Sequence, residues 1–369
     1  MPRRPRIPLY GSSRYVDDTA VRSGISHATA GHSKEAHLPC FASAFLVTAM
    51  LHGAAPCPAR VLELRVRAPA GHVLAARLSL PAGVPRAPVI VTISGSGPHD
   101  RDYSTVASIQ FANHFFRELE GRLNCAGIGV VRFDEVGTGR STGSYNAYAT
   151  TRTLADDVLA LVDAVKRRPG VDSARIALLG HSEGGAITAI AAAERPSIAA
   201  VVLLGSPVER GHEIMRFQIA EEDRRSVAAG DTARREHARR SASDLWYQFF
   251  LGFSPAPFYR RLTQPVLILQ GEYDDAVTPD QADAILELVR SGGVRFGYCR
   301  RYPDHGHGFY GNAPRIAAAA PEVLGDIVRF AHLVLVARRP PALPGGSCRR
   351  EGSGPFRGAA APTRGSATK

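Results

Sequence analysis

Apolar residues in this chain alternate between two rhythms. Short apolar or period-two runs at Val61 to Arg67, Val73 to Leu80, Ala87 to Ser94, Gly127 to Phe133, Arg175 to Gly180, Ala199 to Gly205, Pro265 to Gly271 and Val294 to Tyr302 predict strands. The first two form an expected hairpin. Between the later runs lie helical patterns: Ile109 to Leu123, Thr153 to Arg168, the small-residue segment Gly185 to Glu194, Asp280 to Val289 just past Pro279, and Pro321 to Val336. Leu154, Val158, Leu161 and Val165 give the Thr153 helix a single apolar stripe. Strands separated by helices predict an α/β fold with a mostly parallel sheet covered on both faces.

Residues 206–263 interrupt this rhythm between two predicted strands. Arg216 to Arg240 is charged and helix-like, and Leu245 to Phe253 concentrates aromatics. The expected organisation is a disordered leader over 1–59, a core over 60–205 and 264–337, an inserted helical segment over 206–263, and a disordered basic tail over 338–369. The two ends are rich in Pro, Gly, Ser, Ala and Arg without periodicity. They also hold most of the net charge of +11. The middle of the chain is close to neutral, which argues against a nucleic-acid partner. The acid-interleaved arginines of 224–240 are expected to form a solvated helix face.

The stretch with the most chemistry is Gly180-His181-Ser182-Glu183-Gly184, which follows a strand pattern and precedes a helix. Strand, Gly-x-Ser-x-Gly and helix together describe a nucleophile elbow, a turn so sharp that neighbouring positions must be nearly free of side chains. Gly185 would let the helix pack close to the sheet. An elbow serine needs a base and an acid that fixes the base. After the strand ending at Gly271 stands Asp274, the candidate acid, with Asp275 as an alternative. After the strand ending at Tyr302 stands His307, the candidate base, with His305 as an alternative. The order serine, acid, histidine is the one this architecture requires. A metal at the His-Gly-His pair is not expected, since no further ligands stand nearby. An oxyanion hole needs two backbone amides. Glu183, following the nucleophile, supplies one; Ser96, or Gly95 beside it, supplies the other from the loop after the strand ending at Ser94.

These residues resemble the α/β-hydrolase superfamily, and within it a bacterial serine esterase group. Its oxyanion loop reads Gly-Ser-Gly-Pro-x-Asp-Arg-Asp and its elbow Gly-His-Ser-Glu-Gly-Gly; here they stand at Gly95 to Asp102 and Gly180 to Gly185. Val130 to Gly143 resembles a third family segment, with Val136 where an arginine is usual. Ser94 replaces a histidine common before the oxyanion glycine. The resemblance spans roughly residues 60–336. It implies an α/β-hydrolase fold in which 206–263 caps the serine, with Trp246, Phe249, Phe250 and Phe253 as candidate pocket residues.

The expected activity is therefore hydrolysis of carboxylic esters, with short or aromatic acyl groups, through an acyl-enzyme. No cofactor is required, and the expected partner is a small-molecule ester. A peptidase or amidase, an acyltransferase, and an inactive binding module on the same fold are the alternatives. The apolar run from Leu38 to Leu51 is signal-like but too short for an ordinary membrane span. A cytoplasmic setting is expected, with export as the alternative. The five cysteines, Cys40, Cys57, Cys125, Cys299 and Cys348, show neither a disulfide framework nor zinc spacing.

Overall fold

The computed structural model describes residues 57–103, 114–309, 320–343 and 345–350. The apolar run at 38–51, Cys40, the start of the helix expected from Ile109 and the last nineteen residues lie outside these. The described chain builds a nine-stranded sheet. Its strands are β1 (Ala59–Arg67), β2 (Val73–Pro81), β3 (Ala87–Ile93), β4 (Gly129–Phe133), β5 (Val171–His181), β6 (Ala200–Leu204), β7 (Val266–Gly271), β8 (Gly297–Tyr302) and β9 (Arg349–Arg350). The spatial order is β1-β2-β4-β3-β5-β6-β7-β8-β9. β2 runs antiparallel to both β1 and β4, and the remaining pairs are parallel.

The central strands β3, β6 and β7 are buried at every position, and mostly apolar, because both faces are covered. Along β3, Val89, Val91 and Ile93 enter one apolar cluster, while Ile90 enters the other. Leu178 of β5, Val201 of β6 and Ile268 of β7 follow the first; Leu179, Val202 and Leu269 follow the second. One face is covered by α3 (Thr151–Lys166), α4 (Glu183–Glu194) and α9 (Gln281–Ser291), the other by α1 (Phe115–Cys125) and α10 (Pro321–Ala331). The short α2 (Tyr145–Tyr148) leads into α3. The stripe on α3 is buried as expected, and its start moves two residues upstream because Thr150 and Thr153 form a reciprocal capping box. α10 continues through a π-helical turn, His332–Val336, so helical structure reaches the predicted end.

The interruption between β6 and β7 consists of four helices: α5 (Gly211–Arg225), α6 (Val227–Ser243), α7 (Leu245–Gly252) and α8 (Ala256–Arg260). The charged run is not one helix. Ser226 is extended, and its side chain caps α6 by accepting from the Ala229 amide at 3.1 Å. Most of its arginines do pair locally with acids, Arg224 with Glu221 and Arg239 with Glu236 among them.

Two expectations are overturned here. Residues 338–350 are not a featureless tail: β9 pairs with β8, Ala342 bridges to Phe296, and the Cys348 amide donates to Asp283 at 2.7 Å. The cysteines, scattered in sequence, meet in space. Cys57 bonds to Cys125 across 68 residues, and Cys299 to Cys348 across 49. The second disulfide ties the segment bearing β9 to the sheet. Sequence spacing gave no sign of either pairing, because it is the sheet that brings the partners together.

Candidate active site

The site is assembled at the carboxyl ends of the parallel strands, where β3 has partners whose connections depart in different directions. β5 ends at His181, and α4 begins at Glu183. Between them Ser182 has φ 54° and ψ −127°, a strained conformation for a residue with a side chain. The neighbouring glycines make this turn possible by close approach. A Cβ at Gly180 would run into the Gly184 carbonyl, one at Gly184 into the Ser94 carbonyl, and one at Gly185 into the Ser206 side chain.

Asp274 and His307 come from the loops after β7 and β8. His307 Nδ1 donates to Asp274 Oδ2 at 2.8 Å, and both side chains are buried. The acid is itself held by three further donors. Gln270 Nε2 reaches Oδ2 at 2.7 Å, and the amides of Ala276 and Val277 reach Oδ1 at 2.9 and 2.7 Å. Burial opposes a charge on His307, but the Asp274 carboxylate, by its charge and its hydrogen bond, raises the imidazole pKa above the ordinary 6.5. Gly205, at the end of β6, lies under this pair; a Cβ there would come within 3.2 Å of His307 Nδ1. The two alternatives point elsewhere. Asp275 pairs with Arg225, and His305 lies 2.9 Å from Glu322 at the start of α10.

Ser182 and His307 line one cavity of about 380 Å³. The hydrogen bond between hydroxyl and imidazole is not formed in this structure; such contacts often tighten only when substrate binds. Ser96 lines the same cavity. Gly95 is removed as an oxyanion donor, because its amide donates to the Tyr103 hydroxyl at 2.8 Å. That hydroxyl lies 3.1 Å from His181 Nδ1, and His181 Nε2 lies 2.9 Å from the His307 carbonyl. With the proton on Nε2, His181 donates to the carbonyl and accepts from the tyrosine. Burial pushes the His181 pKa well below 6.5, which keeps it neutral for this task. One run of hydrogen bonds thus joins the loop after β3, the β5–α4 turn and the loop bearing His307.

Glu183 has a second attachment. Its carboxylate is buried and accepts from Thr151 Oγ1 at 2.5 Å and from Trp246 Nε1 at 2.8 and 3.0 Å. Burial raises the carboxyl pKa, against donors on Thr151, Trp246 and Ser96 that lower it. The residue following the serine therefore anchors α7 of the inserted helices. Of the four aromatics expected to form the pocket, Trp246 and Phe250 line the cavity, stacked with centroids 5.1 Å apart. Phe249 and Phe253 do not line it. They stack on each other at 5.4 Å, and Phe253 in turn lies 6.1 Å from the Phe258 ring of α8.

Tyr103, Gln270 and Arg240 had no sequence signal that marked them. Arg240 was expected on a solvated face, yet it lines the cavity, its guanidinium 5.0 Å from the Trp246 ring and 4.6 Å from that of Tyr247. In the loop after β4, Asp134 is held without the arginine missing at Val136: Arg101 reaches both its oxygens, at 3.0 and 2.9 Å, and the Arg140 amide donates at 2.9 Å. Val136 is buried instead. Among the described residues no group of histidine, cysteine and acidic side chains is arranged to hold a metal ion. No helix among them is long and apolar enough to cross a membrane.

A family profile described as serine aminopeptidase S33 matches residues 111–233. The mouse monoglyceride lipase is 34% identical over 139 residues, covering 37% of this chain and 40% of that protein. Esterase EstD of Thermotoga maritima is 28% identical over 233 residues, covering 58% of this chain and 53% of its own. The chain thus spans about half or less of the curated relatives it matches. Among solved structures, 2,6-dihydroxy-pseudo-oxynicotine hydrolase superposes with a TM-score of 0.54 at 19% identity, covering 78% of this chain and 71% of that one. With the parallel sheet, the covering helices and the β5–α4 turn, these likenesses establish that the chain has the α/β-hydrolase fold.

Proposed function

We propose that the protein is a serine hydrolase of carboxylic esters. The observation that carries this reading is the Asp274–His307 hydrogen bond at the wall of a cavity that also exposes Ser182 on its strained turn. His307 takes the hydroxyl proton as Ser182 attacks the ester carbonyl. Asp274 fixes the tautomer that leaves Nε2 open and stabilises the imidazolium. The amides of Glu183 and Ser96 receive the developing oxyanion, worth about 3 kcal/mol for each donor. The tetrahedral intermediate expels the alcohol, which takes a proton from His307, leaving an acyl-enzyme. Water, deprotonated by the same imidazole, then releases the acid and restores the serine.

The likeness to a lipase and an esterase supports this reading. An aminopeptidase is the second reading, because of the description of the matching family profile. Recognition of a peptide amino terminus calls for an acid facing the substrate. Among the residues lining this cavity the only permanently charged side chain is that of Arg240, which favours the ester. The stacked Trp246 and Phe250 suit an aromatic or short acyl chain. The two disulfides favour an oxidising compartment over the cytoplasmic setting expected from sequence.

The test is covalent labelling by a fluorophosphonate, with p-nitrophenyl acetate turnover measured in parallel. Both are expected in the intact protein and abolished by Ser182→Ala. Folded protein that neither reacts nor turns over would refute the reading.

A further inference from the structure

The cavity beside Ser182 is asymmetric in charge. Its lining combines apolar and aromatic walls, Met215, Trp246 and Phe250 among them, with one guanidinium and no carboxylate. That guanidinium belongs to Arg240, near the end of α6. It is held in place by stacking on Trp246 and Tyr247 and by Asp244, which Nε and Nη2 each approach at 3.1 Å. Trp246 is in turn fixed by Glu183. The guanidinium is therefore positioned on two rings, while a single carboxylate engages one edge of its fork and leaves Nη1 for another partner.

The cavity wall around this cation offers it aromatic faces and neutral polar groups but no carboxylate. Arginine on an aromatic surface, with donors remaining, is suited to a carboxylate, because its planar fork matches the two oxygens. From this arrangement we infer that Arg240 selects esters that carry a carboxylate away from the scissile bond. The inference rests on the ester-hydrolase reading and names the substrate class of that site. A second, smaller cavity of about 180 Å³ adjoins the first at Arg240, and its own lining adds the acidic side chains of Glu222, Glu236 and Asp275. A substrate carboxylate would therefore meet Arg240 from the side of the Ser182 cavity, which holds no acid, while the ester reaches Ser182.

The test uses matched pairs that differ only in a carboxylate: p-nitrophenyl hemiadipate against p-nitrophenyl hexanoate, and 4-acetoxybenzoate against 4-acetoxybenzamide. The intact protein is expected to favour the charged member of at least one pair by tenfold or more in kcat/KM. Arg240→Gln should collapse that ratio toward one, and Arg240→Lys should restore part of it. The ratio is internal to each variant, so a loss of folded protein does not imitate the effect.

Binding is read separately from turnover. The chain has a single tryptophan, Trp246, which stacks on Arg240. Titration with adipate should change its fluorescence in the intact protein, with adipamide silent and Arg240→Gln unresponsive. Equal rates within both pairs, or a preference that survives Arg240→Gln, overturns the inference. If no ester is turned over but adipate still titrates Trp246 through Arg240, the ester reading falls and the carboxylate site stands. If turnover occurs and adipate is silent, the reverse holds.

Discussion

Truncation of Glu183 tests whether one carboxylate joins the β5–α4 turn to the inserted helices. In Glu183→Ala the backbone amide remains, but the hydroxyl of Thr151 and the indole N–H of Trp246 lose their acceptor inside the protein. Each orphaned buried donor costs about 1–3 kcal/mol. Against this stands relief from burying a carboxyl with no cation directly bonded to it, which offsets part of the loss. The net expectation is a destabilisation of about 2–4 kcal/mol, or a fall in Tm of roughly 4–10 °C for a domain of this size. Glu183→Gln keeps the shape and one carbonyl. If that carbonyl takes the Oε1 position, which accepts from both Thr151 and Trp246, about 1 kcal/mol is lost. The assay is urea denaturation followed by the fluorescence of Trp246, whose indole reports on the bond being removed. An alanine variant within about 0.5 kcal/mol of the intact protein would refute the reasoning, since two buried donors cannot lose their acceptor at so little cost.

Further outcomes follow from named contacts. Because Asp274 holds the His307 pKa above 6.5, kcat/KM should rise with pH through a midpoint above that value as the imidazole becomes neutral. The stability that His307 gains from the pair has the opposite slope: full below pH 6.5, it is lost as pH rises through the folded value. Asp274→Asn should reduce kcat on the order of 10⁴-fold, and a wild-type midpoint at or below 6.5 would contradict the pairing. Reduction of the disulfides that close loops of 68 and 49 residues should cost about 4 kcal/mol each by loop entropy. A melting temperature unchanged by dithiothreitol, with thiol release demonstrated, would show that the bonds do not constrain the chain.

What the sequence by itself determined is whatever has a local signature. Short, mostly apolar runs separated by helical patterns make the doubly covered sheet legible, since β3, β6 and β7 must bury both of their faces. The elbow is legible because its geometry demands glycines at fixed offsets from Ser182, and candidates for acid and base are legible because strand ends precede them. Choices among near neighbours belonged to the tertiary structure. Asp274 and Asp275 are adjacent and chemically alike, but only the first meets His307, while Arg225 takes the second. Gly95 and Ser96 offer equivalent amides until Tyr103 captures one of them. Residues 348 and 299, 183 and 246, and 240 with the cavity near Ser182 meet only once the strands are ordered and the inserted helices are laid across them. Periodicity reports which face of an element is buried, but a partner many residues away is selected by packing, and nothing in the local pattern encodes that selection.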